Sequence, residues 1–178
     1  MARECKLYRM IPKEEIKEKL SFGYSELDRE FMGFERNYIP IADSIPHDWT
    51  IVDLGCYQAA QCYLFEDHKA YIGVDIYDSI VMGGFVPPLR FRTANSRHYF
   101  MTIQQFAAHE LSSFDVGKTY FIASAVPDFE TTRMIYNIVR HCCVVYPGKE
   151  PMVKGYGASM ITHLFKNYDD YYGEGEAI

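Results

Sequence analysis

Short apolar runs alternate with amphipathic stretches from residue 50 onward. Runs rich in β-branched and aromatic residues, each ended by glycine, proline or polar residues, are typical of buried strands. The sequence predicts five such strands, at Thr50–Leu54, Ala70–Ile76, Leu89–Thr93, Thr119–Ala123 and Cys142–Tyr146. A less regular run, Ser159–Phe165, is a candidate sixth strand.

Helical spacing of apolar residues fills the intervals between these strands. A first helix is predicted over Gln58–Phe65, and Thr102 with Gln105 forms a capping-box pattern before a second. A third helix would carry Met134, Ile135, Ile138 and Val139. Strands that alternate with helices predict an α/β fold with a doubly wound, mostly parallel sheet. Right-handed crossovers would place helices on both faces of that sheet.

Residues 1–47 have a different, helical pattern. Pro12 suits a first helical position, and Ser25 with Asp28 resembles a capping box for a second helix. We therefore expect an N-terminal helical extension over 1–47 and an α/β domain over 48–178. The pattern fits a helical hairpin packed on that domain, and it also fits a lid over a pocket.

Composition narrows the class of protein. The net charge of -6 argues against nucleic-acid binding, which favours a basic surface. Five cysteines without a C-x-x-C pair, and six histidines without ligand spacing, favour reduced thiols and no structural metal. The first residues are charged and no apolar run has membrane length, so we expect a cytoplasmic protein that does not enter a membrane. The 15 tyrosines are compatible with a homo-oligomer.

The candidate chemistry begins where the first strand turns into the first helix, at Val52–Cys56. A glycine at position 55 lets the backbone bend sharply and approach a ligand, and a helix N-terminus behind it offers free N–H groups. Asp75 ends the second strand, about 20 residues beyond Asp53, where a nucleotide-binding crevice grips a ribose. Its two carboxylate oxygens can accept from two vicinal hydroxyls.

With these residues the chain resembles the class I S-adenosylmethionine-dependent methyltransferases, which have a Rossmann-like sheet. The resemblance lies in Val52–Cys56, in Tyr71–Asp75 and in the strand order over about the last three quarters of the chain. It implies S-adenosylmethionine as the cofactor. It also implies methyl transfer to an acceptor, for which a small molecule or a protein is expected.

The resemblance assigns cofactor contacts to individual residues. Gly55 and the backbone at Cys56 and Tyr57 would contact the methionine and ribose portion. Asp53 would order the loop and the methionine amino group. In the same way, Asp75 would bind the ribose hydroxyls and Ile76 would pack on adenine.

Further contacts are implied beyond the third and fourth strands. Asn95 or Ser96 would meet the adenine amino group, and Ser124–Asp128 would face the methyl acceptor. Asp128 is a candidate general base, or a group that orients the acceptor. We favour the other interpretation, in which Asp128 is the N-cap of the helix that follows it.

The glycine loop departs from the family pattern. It reads Gly55-Cys-Tyr57-Gln-Ala59, where the family commonly has G-x-G-x-G. Tyr57 could fill part of the methionine pocket or stack on the ligand, and Cys56 reads as a packing thiol more than as a nucleophile. Two alternatives therefore stay open: a non-catalytic binding module that senses a nucleoside or binds a protein, and a nicotinamide-dependent oxidoreductase.

Overall fold

The computed structural model describes residues 35–56, 59–76, 93–124, 126, 129–145 and 150–162. Six strands lie within them: β1 (Thr50–Leu54), β2 (Ala70–Asp75), β3 (Ser96–Phe100), β4 (Thr119–Ser124), β5 (Cys142–Val145) and β6 (Met152–Lys154). They form one sheet in the order β3-β2-β1-β4-β5-β6. Strands β1 to β5 are parallel, and β6 pairs antiparallel with β5.

Helices cover both faces of this sheet. The α-helices are α1 (Glu35–Ser44), α2 (Ile103–His109) and α3 (Phe129–Ile138). Two 3-10 helices span Ala60–Phe65 and Leu111–Ser113, and residues 158–162 are also helical. Apolar side chains of α1, of the first 3-10 helix and of residues 158–162 share one core cluster, whereas those of α2 and α3 share the other.

The two clusters follow the two-residue period of the strands. Along β1, Ile51 belongs to the α1 cluster, while Val52 and Leu54 belong to the α2–α3 cluster. Strands that are buried on both faces have continuous apolar sequences. For this reason the sequence predicts β1, β2, β4 and β5. The predicted α/β fold, a mostly parallel Rossmann-like sheet with helices on both faces, is confirmed.

The capping box predicted for the second helix is confirmed. The backbone N–H of Gln105 donates to Thr102 Oγ1 at 3.1 Å, and the backbone N–H of Thr102 donates to Gln105 Oε1 at 2.9 Å. These reciprocal bonds satisfy two donors at the start of α2. Helix α2 therefore begins directly after the turn that leaves β3.

Two predicted elements differ from the structure in position or type, and a third lies almost wholly outside the described residues. The third strand of the sheet is Ser96–Phe100, a polar edge strand, whereas the predicted Leu89–Thr93 lies almost wholly outside the described residues. The predicted sixth strand at Ser159–Phe165 is helical over 158–162, and the sixth strand is Met152–Lys154 instead. The predicted helix Gln58–Phe65 is a 3-10 helix that begins at Ala60.

Helix α1 contributes directly to the core. Its Ile41 and Ala42 are fully buried in the core, with Tyr38 nearly so, and Ile45 directly after the helix is buried as well. The Pro12 helix and the Ser25–Asp28 capping box lie outside the described residues, so they stay predictions. The division into 1–47 and 48–178 also stays a prediction.

Candidate functional site

The bend after β1 is bonded to β2. Gly55 has a φ of 73°, a conformation that favours glycine. The backbone N–H groups of Gly55 and Cys56 both donate to the carbonyl oxygen of Val74, at 2.8 and 3.2 Å. A Cβ on residue 55 would lie 2.7 Å from Val126 Cγ2. Both the backbone angle and the packing of Val126 therefore require glycine here.

Asp75 follows Val74 directly and ends β2. The bend at Gly55 and the Asp75 carboxyl group consequently lie at the same carboxyl edge of the sheet. Strands β1 and β4 are neighbours in the sheet, and the strand order runs outward from them in opposite directions. The carboxyl ends of β1 and β4 therefore mark the topological switch point of the fold. Ligands of open α/β sheets bind at such a point.

Two exposed apolar side chains flank the Asp75 position. Ile76 is 66% exposed, and Phe100, which ends β3, is 62% exposed. Phe100 is in direct register with Asp75, and the N–H of Met101 donates to the carbonyl oxygen of Asp75 at 3.0 Å. A partly buried carboxylate beside two large apolar surfaces suits a ligand with hydroxyl groups and a flat apolar ring.

Cys56 packs back onto the sheet. Its Sγ would lie 2.8 Å from a Cβ placed on Gly73, in the middle of β2, and His98 Cδ2 would lie at 2.9 Å. The absence of a side chain at position 73 therefore makes room for both groups. Burial raises the pKa of the Cys56 thiol well above its usual value. Cys56 is consequently a packing thiol with little thiolate at neutral pH.

Asp53 lies on the α1 side of β1 and is fully buried. Three side chains donate to its carboxylate: Tyr38 Oη at 2.8 Å, Gln61 Nε2 at 2.7 Å and Tyr71 Oη at 2.5 Å. Burial raises the pKa of Asp53 to about 6, and the three donors oppose that rise. The carboxylate is therefore mostly ionised at pH 7 and held inside the protein.

Gln61 links this buried carboxylate to the bend. Its Nε2 donates to Asp53 Oδ2 and also, at 3.2 Å, to the carbonyl oxygen of Cys56. The same carbonyl accepts the backbone N–H of Ala59 at 2.8 Å. The Cys56 carbonyl thus accepts one bond from a side chain and one from the backbone that resumes after residues 57 and 58, which lie outside the described residues.

Three amides of the bend form hydrogen bonds within the protein. The N–H groups of Gly55, Cys56 and Ala59 all have backbone acceptors. The helix that follows is a six-residue 3-10 helix whose N-cap, Ala59, has a left-handed φ of 53°. The predicted helix is therefore a 3-10 helix, and these three amides are not available to a ligand.

Asn95 and Ser96 lie at the opposite edge of the sheet from Asp75. They precede and open β3, so they occupy its amino end. Asn95 Nδ2 donates to the carbonyl oxygens of Phe65 and His68, at 3.0 and 2.8 Å. The structure thus contradicts the expectation that they follow the third strand. The residues that do so are Met101 and Thr102.

The remaining predicted site residues divide into two groups. Ser124 ends β4 at the carboxyl edge, in register with Val145 of β5. Tyr57 and Asp128 lie outside the described residues, so their assigned roles stay predictions.

Sequence reasoning missed Tyr38, Gln61 and Phe100. Tyr38 and Gln61 contact Asp53 from separate elements, and no local pattern announces such contacts. Phe100 was missed because its strand, Ser-Arg-His-Tyr-Phe, is too polar to show the pattern of a buried strand. Tyr99 and Met101, two residues apart, both pack against the core, and this spacing was the signal that could have predicted a strand here.

Strand order, the bend at Gly55 and the acid at the end of β2 together define a doubly wound α/β protein of the Rossmann-like type. No family model and no curated protein matches the chain. A solved structure from Listeria monocytogenes, provisionally described as an S-adenosylmethionine-dependent methyltransferase, matches with a TM-score of 0.41 and 14% identity. The match covers 62% of this chain and 53% of that one, so the chain spans about half the length of that protein. The function of the present chain must therefore be argued from its own residues.

Two kinds of feature are absent from the described ranges. None of the helices there is long and apolar enough to span a bilayer. Across the same ranges, no group of three His, Cys, Asp or Glu side chains is placed to hold a metal ion. The four cysteines described are buried thiols that form no disulfide: Cys56, Cys62, Cys142 and Cys143.

Proposed function

We propose that the carboxyl edge of the sheet binds S-adenosylmethionine and that the protein transfers its methyl group to a small-molecule or protein acceptor. One observation carries the proposal: Gly55 and Cys56 bond to Val74, the residue before Asp75. A sharp bend and a carboxylate are thereby held side by side at the switch point.

In this proposal, the Asp75 carboxylate accepts hydrogen bonds from the two ribose hydroxyls. Ile76 and Phe100 offer exposed apolar surfaces beside it, which suit the two faces of an adenine ring. Asp53 and Gln61 act from inside, by shaping the bend rather than by touching the ligand. Asn95 and Ser96 take no part, because they lie at the other edge.

The amides of the bend favour this ligand over a nicotinamide dinucleotide. A diphosphate needs several N–H groups or a helix N-terminus directed at it. Here the N–H groups of Gly55, Cys56 and Ala59 are bonded within the protein. S-adenosylmethionine carries no phosphate, so it does not need several free N–H groups from the loop.

Methyl transfer needs few catalytic groups. The acceptor nucleophile attacks the methyl carbon as the carbon–sulfur bond breaks, and the sulfur keeps the electron pair. The protein must align the acceptor with that bond and exclude water. Ser124, at the end of β4, is proposed to face the acceptor, with Asp128 as the candidate base that takes its proton.

Thermal unfolding with S-adenosylhomocysteine, the demethylated product, tests the binding site. A ligand at about 100 times its Kd stabilises the folded state by about 2.7 kcal/mol. We expect a rise in Tm that Asp75→Ala abolishes. The matched control is Asp67→Ala, which removes an exposed acid from the turn before β2 and should keep the rise.

The same experiment separates the alternatives. No shift at millimolar ligand, or a shift with nicotinamide dinucleotide alone, would overturn the proposal. A shift without detectable methyl transfer to any tested acceptor would identify a binding module that has kept the fold and the ligand but not the reaction.

A further inference from the structure

A continuous set of hydrogen bonds connects α1 to the bend after β1. Tyr38 on α1 donates to Asp53 Oδ1, and Gln61 donates to Asp53 Oδ2. Gln61 donates in addition to the carbonyl oxygen of Cys56, in the bend itself. Three elements that are distant in sequence are thus joined through one buried carboxylate.

The chemistry of the two acceptors fixes the residue type at position 61. The Asp53 carboxylate and the Cys56 carbonyl can only accept, so the group between them must supply two N–H donors. The nitrogen of a side-chain amide supplies both N–H donors. The amide oxygen could not stand between two acceptors, because it can only accept. Both Gln61 and Asp53 are more than 90% buried, so water cannot readily replace either bond.

We propose that Gln61 is a positioning residue that holds the bend after β1 in its ligand-binding shape. Tyr38 connects helix α1 to this hydrogen-bond network, because it holds the Asp53 carboxylate to which Gln61 donates. The ligand aspect rests on the proposed function above. The control of the bend by Gln61 stands on the hydrogen bonds alone.

Amide hydrogen exchange measured by NMR tests the control of the bend. Gln61→Met has similar length and removes both N–H donors. We expect the N–H groups of Cys56 and Ala59 to exchange about tenfold faster relative to those of β4, as befits the loss of about 1.4 kcal/mol of local hydrogen bonding. Tyr38→Phe should increase exchange at the same amides by a smaller factor.

Tyr71→Phe is the matched control. It removes another donor to the same oxygen, Asp53 Oδ2, but leaves the bond from Gln61 to Cys56 in place. It should increase exchange at the bend no more than Tyr38→Phe does, because the direct bond from Gln61 to the Cys56 carbonyl stays in place. Equal exchange profiles for Gln61→Met and Tyr71→Phe, after correction for global stability, would overturn the inference.

Affinity for S-adenosylhomocysteine extends the test to the ligand. We expect Gln61→Met to raise the Kd about three- to tenfold, and Tyr71→Phe to leave it nearly unchanged. If the unmodified protein does not bind this ligand, the proposed function fails, and the exchange data alone decide the inference. If it binds and Gln61→Met leaves the Kd unchanged, the positioning role is wrong.

Discussion

The Tyr38 hydroxyl donates a 2.8 Å hydrogen bond to the carboxylate of Asp53, which lies on β1 beneath helix α1. Burial raises the pKa of this carboxyl group to about 6, from an ordinary value of 3.8. The native state therefore holds a proton at Asp53 between about pH 4 and 6, where the unfolded chain has released it.

The first prediction concerns the pH dependence of stability. Because the native state binds more protons in that window, the contribution of Asp53 falls as the pH rises from about 4 to 6, by up to about 3 kcal/mol. Asp53→Asn removes this titration. Urea unfolding at several pH values should therefore show a flatter profile for the variant across the window. An unchanged profile would assign the titration to another group.

The second prediction contrasts two buried tyrosines. Among the described residues, the Tyr120 hydroxyl on β4 has no hydrogen-bond partner, although the residue is fully buried. A buried polar group without a partner costs about 1–3 kcal/mol, so Tyr120→Phe should leave the free energy of unfolding unchanged or raise it. Tyr71→Phe removes a donor to a carboxylate and should lower it by about 1.5–3 kcal/mol.

Denaturant unfolding of the two variants measures the difference directly. Each loses one hydroxyl oxygen from a fully buried ring on the α1 face of the sheet, so side-chain size and location are matched. Comparable destabilisation by both substitutions would contradict the assignment of an unsatisfied hydroxyl to Tyr120.

The third prediction concerns the contact between the bend and Val126. Gly55→Ala would force a Cβ to within 2.7 Å of Val126 Cγ2 at a φ of 73°. We expect a loss of about 2 kcal/mol or more, because both steric overlap and backbone strain oppose it. Adding Val126→Ala should recover the steric part only, and a double-mutant cycle of unfolding free energies measures that coupling. Strict additivity would show that the two residues do not touch.

The fourth prediction uses Trp49, the single tryptophan of the chain. Its ring centroid lies 4.7 Å from that of His141, whose Nδ1 accepts the backbone N–H of Tyr156 at 2.9 Å. Burial, followed by the charge of Arg140, lowers the pKa of His141. His141 therefore stays neutral until the pH falls below the ordinary histidine range.

Protonation of His141 should quench the fluorescence of Trp49, with a midpoint below the ordinary pKa of about 6.5. It also removes the acceptor for Tyr156, so β6 should loosen in the same pH range. His141→Asn is the control, because its side-chain oxygen can still accept while it does not titrate. Persistence of the transition in this variant would show that His141 is not the group responsible.

The strands buried on both faces were predictable because burial makes their sequences uniformly apolar. Thr50–Leu54 was predicted with the observed ends, and β2 differs by one residue. Strand β3 was not predicted, because it is an edge strand whose residues are mostly exposed or half-buried. Strand β6 is only three residues long and antiparallel, so it leaves little pattern.

At the candidate site, features set by local sequence could be predicted, whereas contacts between distant residues could not. The glycine turn and Asp75 were predictable because each follows a legible strand, and the parallel register brings them together. The partners of Asp53 were not, because Tyr38 and Tyr71 approach it from elements 15 and 18 residues away. Side-chain packing between elements decides such contacts, and sequence spacing does not record it.

The burial of α1 sets a limit on how short a fragment of this chain can be and still fold. A fragment starting at Pro46 would expose Ile51, Tyr71 and Tyr120 to water along one side of the sheet. It would also leave a carboxylate without one of its donors. Such a fragment should aggregate or need detergent, so the smallest autonomous unit includes helix α1.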